Sequence, residues 1–128
     1  GGTKAGKLAN AYAGICYAQL GQYENAVKYL DKFSAEDQLV SPALMGTMGN
    51  CYIQLGQLDK GAATLMKAAD KANSHSLSPI YLIQAGQVYE KLGKKSEALK
   101  AYQTVKDKYF NSYQSMEIDK YIERASVK

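Results

Sequence analysis

Apolar side chains recur along this chain every three or four residues, and glycines or short polar segments interrupt them at intervals. The first such series covers residues 4–20 without a proline, and its spacing predicts an amphipathic α-helix. Six further series follow with the same period. Together they predict helices over residues 4–20, 23–33, 42–55, 58–72, 79–92, 96–109 and 113–125.

Helix starts are marked by serines. Ser41 and Ser78 each precede a proline, which is tolerated at the first helical position because its missing N–H needs no partner there, and Ser112 precedes the last helix. Each serine is therefore predicted to cap the helix that follows it. The predicted connectors between helix pairs are residues 34–40 and 73–77.

One motif, Gly-x-x-Tyr-x-x-Leu-Gly, occurs three times, at residues 14–21, 49–56 and 86–93. Successive copies start 35 and 37 residues apart. Because the closing glycine can end a helix and a second helix follows after a short turn, each copy belongs to an antiparallel helix pair. Self-similarity at this period is typical of stacked helical repeats.

The small residues of the motif predict close packing. Gly14, Gly49 and Gly86 are expected to let the two helices of a pair approach, and the three tyrosines to fill the space between adjacent pairs. Gly61, inside the second helix of the second pair, lies where the other pairs have alanine. We interpret it as a close helix contact, not a hinge, although glycine costs about 1 kcal/mol against alanine in a helix.

Cys16 and Cys51 occupy equivalent positions of successive repeats. Equivalent helices in a stack lie roughly 8–10 Å apart, whereas a disulfide needs Cα atoms within about 7 Å. The spacing therefore predicts two free, buried thiols, and it matches no metal-binding motif. The redox compartment stays open.

Composition excludes several classes of function. The chain of 128 residues is 46% hydrophobic and 22% charged, as expected of one soluble domain, and has no apolar run near the ~20 residues that span a membrane. Its net charge is +4, but all basic residues except Arg124 are lysine. Nucleic-acid surfaces favour arginine, so we expect a solvated basic face and no nucleic-acid partner.

No residue pattern predicts catalysis. His75, the one histidine, lies between two serines in a connector with no second histidine or carboxylate nearby in sequence. The glycines punctuate helices and follow no strand, so they do not form a phosphate loop. We therefore expect neither an enzyme, nor a metal site, nor a cofactor.

The repeated positions resemble those of the tetratricopeptide repeat, whose signature includes a small residue, a tyrosine and a later Ala-x3-Phe pair. The signature's leading tryptophan is replaced here by Asn10, Met45 and Leu82, and its closing proline is absent. The positions that match are Ala13-Gly14, Tyr17, Ala26 and Leu30 in repeat one, Met48-Gly49, Tyr52, Gly61 and Leu65 in repeat two, and Ala85-Gly86, Tyr89, Ala98 and Tyr102 in repeat three.

This resemblance implies an all-α fold, a right-handed α-solenoid of seven helices in a single domain over residues 1–128. Three helix pairs would cover residues 4–40, 41–77 and 78–111, and a capping helix with one charged face would cover residues 112–126. The stability of such a fold comes from stacking, because no single pair can bury its apolar face.

In this family the first helix of each pair lines a concave groove that binds other proteins. Members that clamp a chaperone's terminal carboxylate use lysine, asparagine and arginine there, but the corresponding positions here hold Ala11, Ile15, Thr47, Ile80 and Gln84. A different ligand is therefore implied. The candidate groove residues are Leu8, Ala11, Ile15, Gln19, Gly46, Asn50, Ile53, Gln54, Ile80, Ile83, Gln87 and Glu90, and the same face carries Ala18, Ala43 and Lys91.

The favoured function is a protein-interaction scaffold that takes an apolar helix or extended segment of a partner in this groove. Amides such as Asn50, Gln54 and Gln87 would then bond the partner's backbone. The alternative is a structural module whose groove is covered by upstream repeats or by a second copy, since apolar patches are rarely left bare. A third hypothesis is that this chain is a regulatory domain of a larger enzyme or sensor.

The turn Lys108-Tyr109-Phe110-Asn111-Ser112 is similar to the Lys-Tyr-Pro-Asn-Ser turn of bacterial cell-envelope members of this superfamily, with Phe110 in place of proline. The whole chain resembles the C-terminal part of membrane-anchored tetratricopeptide proteins of Bacteroides-like bacteria. That resemblance implies the periplasmic face of the envelope, with the cytoplasm as alternative. The start at Gly1-Gly2-Thr3 without methionine favours a processed or engineered N-terminus.

Overall fold

A computed structural model describes residues 3–36 and 41–127 of the chain. Within these ranges every regular element is helical, which confirms the predicted all-α fold of seven α-helices. A short 3₁₀ helix precedes the last one. The elements are α1 Lys4–Gln19, α2 Tyr23–Glu36, α3 Pro42–Gln54, α4 Leu58–Ala72, α5 Ser78–Lys91, α6 Lys95–Lys108, the 3₁₀ helix Gln114–Met116 and α7 Ile118–Ser126.

The helices pack in chain order. The pairs α1/α2, α3/α4 and α5/α6 each form an extensive contact, and successive pairs join where α2 meets α3 and α4 meets α5, with α7 packed on α6. Because every helix contacts mainly its neighbours in sequence, the fold is an α-solenoid whose core runs along the stack.

The repeated motif forms the same helix end three times. Gly21, Gly56 and Gly93 have φ values of 76°, 80° and 73°, the left-handed region that favours glycine. In the first copy the N–H of Gln22 bonds the carbonyl of Tyr17 at 2.8 Å, and the two later copies repeat this bond. This is the Schellman arrangement, in which the glycine is the left-handed residue and the backbone carbonyl of the motif's tyrosine is the acceptor.

The close approach within pairs is confirmed at the two glycines that face each other in the second pair. A Cβ on Gly49 would lie 2.9 Å from Cγ of Leu65, and a Cβ on Gly61 would lie 2.5 Å from Cγ1 of Ile53 and 2.9 Å from the carbonyl oxygen of Gly49. The backbones of α3 and α4 therefore touch where side chains would otherwise separate them.

Tyrosines fill the space between pairs in the second and third repeats. Tyr52 is 3% exposed, packs with Leu30 of the preceding pair, and donates its hydroxyl hydrogen bond to Asp31 at 2.9 Å. Tyr89 packs against the cluster around Leu65. Tyr17 instead stacks on Tyr29 of its own pair, with ring centroids 5.4 Å apart, because the described residues include no helix before α1.

Both cysteines are free thiols, as predicted, but only Cys51 is buried. The prediction of burial was wrong for Cys16. Cys51 lies on a helix that packs against the preceding pair through α2, whereas the equivalent face of α1 has no helix before it in the described residues. The apolar residues exposed on or next to α1, Leu8, Tyr12 and Leu20, reflect the same open end.

This difference predicts two classes of thiol. An aromatic disulfide reagent is expected to modify Cys16 in the folded protein at the rate of an exposed thiol, whereas Cys51 should react only as the protein unfolds. Burial raises the pKa of the Cys51 thiol, which lowers its thiolate fraction further. Absorbance traces should show one fast and one slow thiol, and Cys16→Ser should remove the fast phase alone. Two fast phases would contradict the packing of α3.

Several predicted boundaries are corrected by the contacts at helix ends. Ser41 caps α3 as expected, accepting from the N–H of Leu44 at 3.1 Å. Ser78 does not cap α5: it is the first residue of the helix, and its hydroxyl donates to the carbonyl of Ala69 at 2.6 Å, which ties α5 to α4. The helix α2 continues to Glu36, into the predicted connector at residues 34–40, and residues 37–40 of that connector lie outside the described residues.

The last predicted helix is also shorter than expected. Ser112 does not cap α7, which begins only at Ile118; its hydroxyl accepts from the N–H of Ser115 at 3.1 Å in the 3₁₀ turn. Met116, inside the predicted helix, is 80% exposed, because it belongs to the 3₁₀ turn and not to α7. Ile118 and Ala125 are buried, so α7 turns an apolar face to the stack, as expected of a capping helix with one charged face.

Candidate functional site

A groove lies between α3 and α5, the first helices of the second and third pairs. We call it the α3/α5 groove. Its cavity is about 410 Å³ in volume and is lined by Asn50, Ile53, Gln84, Gln87, Val88 and Lys91. The helical period thus brings three candidate residues, Asn50, Ile53 and Gln87, to one surface, since they project from the same face of consecutive repeats.

The walls of the α3/α5 groove combine an apolar base with amides. Ile53 is half-buried and Val88 is buried, whereas Asn50, Gln87 and Lys91 are exposed. Among the described lining residues Lys91 alone is charged. The groove therefore has two apolar contacts at its base and several hydrogen-bonding groups around it.

Gln84 is the lining residue with the most specific chemistry. Its side-chain oxygen Oε1 is buried and has no hydrogen-bond partner in the described structure. A buried acceptor without a partner costs about 1–3 kcal/mol, so a donor placed there would be favoured. In the sequence, Gln84 was identified only as a position that corresponds to the carboxylate clamp. Its spacing of three residues from Gln87 is the signal that could have placed both side chains on one helix face.

The remaining candidate residues are distributed differently. Ala11 is buried against Phe33 and Leu44, and Gly46 is buried beneath the ring of Tyr81. Neither offers a side chain to a ligand. The candidate residues that stay exposed are Leu8, Gln19, Gln54 and Ile80, and Ile15 is half-buried.

Glu90 is engaged within the protein. The guanidinium of Arg124 on α7 donates to both oxygens of its carboxylate, with Nε 3.0 Å from Oε2 and Nη2 2.5 Å from Oε1, and the hydroxyl of Tyr102 also donates to it. The hydrogen bond from Arg124 is the main cause that lowers the pKa of Glu90, and Tyr102 lowers it further against the opposing effect of burial. This candidate residue anchors the capping helix.

Ile83 lies at a second cavity that sequence analysis did not predict. It has a volume of about 260 Å³ and includes Tyr113, Gln114, Met116, Glu117 and Tyr121 of the C-terminal segment. Tyr113 and Met116 are the most exposed large apolar side chains of the described structure, at 84% and 80%. The 3₁₀ turn that presents them could not be read from a helical period.

Two further features bear on the kind of site. Within residues 3–36 and 41–127 no three histidine, cysteine or acidic side chains come together in a group that could hold a metal ion. The helices of the same ranges are too short or too polar to cross a membrane.

An α-solenoid of helix pairs with a groove between first helices is the architecture of a helical-repeat binding module. Two family models, both described as Tetratricopeptide repeat, match residues 17–78 and 81–112 and together span most of the chain. The chain therefore belongs to the tetratricopeptide repeat family, whose members are generally non-catalytic interaction modules. No curated protein matches this sequence.

Solved structures share the fold. The TPR2AB-domain:pHSP90 complex of yeast Sti1 matches over 97% of this chain with a TM-score of 0.66 and 14% identity, and this chain spans only 47% of that one. MamA matches over 94% of this chain and 76% of its own, with a TM-score of 0.67 and 18% identity. None of these comparisons supports the resemblance to cell-envelope proteins of Bacteroides-like bacteria that was inferred from the sequence.

Proposed function

We propose that this protein is a non-catalytic interaction scaffold that binds an apolar helix or extended segment of a partner protein in its concave groove. The observation that carries the proposal is the α3/α5 groove with the unpartnered acceptor of Gln84 in its wall. When a partner binds, rotation of the half-buried Gln84 side chain would bring that enclosed acceptor to the partner's N–H groups, while Ile53 and Val88 supply apolar contact. The yeast Sti1 domain, itself in a complex with pHSP90, supports a binding role for this architecture.

The ligand chemistry differs from that of a carboxylate clamp. Of the positions that carry clamp residues in such family members, Ala11 is buried in a core cluster and Gln84 contributes an amide. With Lys91 as the one charged lining residue, the groove favours a segment that is mostly neutral. An envelope location is an expectation from the turn at residues 108–112 and from the resemblance of the whole chain, which the comparisons do not support.

Site-specific photo-crosslinking tests the proposal. A benzophenone side chain at Gln87, exposed in the groove, is expected to capture a discrete partner in cells that make this protein. The matched control is Gln103, another exposed glutamine, on α6 and outside the groove, which should capture little. Covalent adducts would be separated on gels and identified by mass spectrometry.

A second variant separates binding from folding. Gln84→Met removes the unpaired acceptor while keeping the side chain's length, so the protein should unfold at the same or a higher temperature. The same change is expected to reduce capture at Gln87, because the acceptor for the partner is gone. Equal capture at Gln87 and Gln103, or capture that Gln84→Met leaves unchanged, would contradict a groove that binds through this wall.

The structural alternative has its own support. The face of α1 with Tyr12, 66% exposed, and Cys16 is open, whereas Cys51 at the equivalent position of α3 is 2% exposed beside the preceding pair. Such a face suits a further helix of an upstream repeat or of a second copy. If the crosslinker at Gln87 captures only another copy of this chain, the assembly function is favoured over the scaffold.

A further inference from the structure

A third cavity opens between α4 and α6, the second helices of the second and third pairs. We call it the α4/α6 cavity. Its volume is about 370 Å³, within the range of protein pockets that bind small ligands or a few side chains. Nothing in the proposed groove function uses it. Its lining residues are Met66, Lys67, Ala69, Asp70, Leu82, Lys100, Thr104, Lys108 and Tyr109.

The floor of the α4/α6 cavity is apolar. Leu82 and Tyr109 are buried members of the core cluster, and Met66 is half-buried against it. The Tyr109 hydroxyl is directed at the side-chain oxygen of Asn73, 3.4 Å away, and the ring forms part of the floor. A ligand that enters would therefore place an apolar group against these side chains.

The rim is positively charged. Lys67 of α4 and Lys100 and Lys108 of α6 all line the cavity, against the single carboxylate of Asp70. None of these three ammonium groups is paired with a carboxylate of the described side chains, although Lys94 and Lys106 pair with aspartates there. The Lys108 ammonium lies 5.7 Å from the centre of the Tyr109 ring, next to the floor.

We propose that the α4/α6 cavity binds an acidic segment of another protein, in which one apolar side chain fills the floor and flanking carboxylates pair with Lys67, Lys100 and Lys108. Charge complementarity carries the choice of occupant, because three unpaired cations surround an apolar floor. A nucleic acid fits less well, because lysine lacks the planar fork that binds phosphates at two points. This site is independent of the α3/α5 groove.

The test uses a blocked, fluorescein-labelled peptide with two glutamates on each side of a central leucine, and the same peptide with glutamines. Fluorescence anisotropy is expected to show saturable binding of the glutamate peptide alone, weakening as salt rises. Amide spectra of ¹⁵N-labelled protein should show shifts at residues of α4 and α6 that line the cavity and none at Asn50 or Gln87.

Variants assign the binding to this cavity. Lys100→Glu turns an attraction into a repulsion and should weaken binding by roughly tenfold or more, whereas Lys95→Glu, the same change on the same helix outside the cavity, should weaken it by less than about threefold. Thr104→Leu fills the cavity without a change of charge and should also weaken binding. Circular dichroism would confirm that each variant is folded.

Four outcomes would overturn the proposal. They are equal effects of Lys100→Glu and Lys95→Glu, spectral shifts confined to the α3/α5 groove, binding of free glutarate as tight as that of the peptide, and tighter binding of an oligothymidylate than of the peptide. The third would assign the cavity to small carboxylic acids and the fourth to nucleic acid. Because the crosslinker at Gln87 reports on the other groove, either proposal can fail while the other stands.

Discussion

Replacing Gly61 with alanine is expected to destabilise this protein by about 2 kcal/mol, although the other two repeats carry alanine at the same position. Alanine is the better helix former by about 1 kcal/mol, so sequence comparison among the repeats favours the change. The structure opposes it. The new Cβ would lie 2.5 Å from Cγ1 of Ile53 and 2.9 Å from the carbonyl oxygen of Gly49, and the second contact is with backbone that cannot rotate away. Overpacking costs about 1–3 kcal/mol, and the backbone contact puts this case near the upper end, so about 2 kcal/mol remains after the roughly 1 kcal/mol that helix propensity returns.

Urea unfolding followed by circular dichroism would measure the effect. The variant Ile53→Ala removes the side-chain contact, so the double variant with Gly61→Ala should be less unstable than the sum of the two single variants. Part of the loss should remain, because the contact with Gly49 is unaffected. Stabilisation by Gly61→Ala, or strictly additive effects, would show that α3 and α4 are farther apart than in this structure.

Local features of this fold follow from local sequence. The spacing of Tyr17 and Gly21, repeated at the other two copies, fixes both the partner carbonyl and the left-handed residue of a helix cap. Such a cap depends on six consecutive residues, so a single sequence contains all of its causes. The helix bounds of the three pairs were predictable to within a few residues for the same reason.

Contacts between repeats were predictable only where the repeats are alike. Tyr52 and Tyr89 fill the space between pairs as the repetition implied, but Tyr17 and Cys16 do not, although they are the same residue types at equivalent positions. What differs is the neighbouring helix on one side, and the residues of α1 itself do not indicate whether such a helix is present. The hydroxyl of Ser78 is a similar case, because its partner is a carbonyl of another helix.

The candidate groove was likewise predictable only in part. Helical spacing places Asn50 and Gln87 on one surface, which needs no knowledge beyond the period. It could not show that Glu90 is held by an arginine on the last helix, because that contact depends on how α7 docks. Nor could it find the α4/α6 cavity, whose charged rim combines residues of two helices that are apart in sequence.

The docking of α7 leads to the second large effect: Glu90→Gln is expected to lower the free energy of unfolding by about 1–2 kcal/mol at neutral pH. The carboxylate accepts two hydrogen bonds from Arg124 and one from Tyr102, and charge-assisted, two-point pairs are the stronger kind. The Glu90 side chain is only 23% exposed, but Arg124 is 55% exposed, so solvent screening keeps the expected loss near the lower end of that range. Hydrogen exchange should rise first in α7.

The pH dependence distinguishes this ion pair from general loss of packing. Arg124 holds the pKa of Glu90 below its usual value, so the stabilisation is present above the unfolded pKa of about 4.3 and is lost as the pH falls through the lower, folded pKa. Thermal unfolding of the wild type and of Glu90→Gln should therefore differ most near neutral pH and converge in acid. The matched control, Asp119→Asn, breaks the exposed Lys106–Asp119 pair at the same helix and should cost less than about 0.5 kcal/mol. A difference that persists at low pH, or equal losses in the two variants, would mean that α7 is held by its buried apolar residues and not by Glu90.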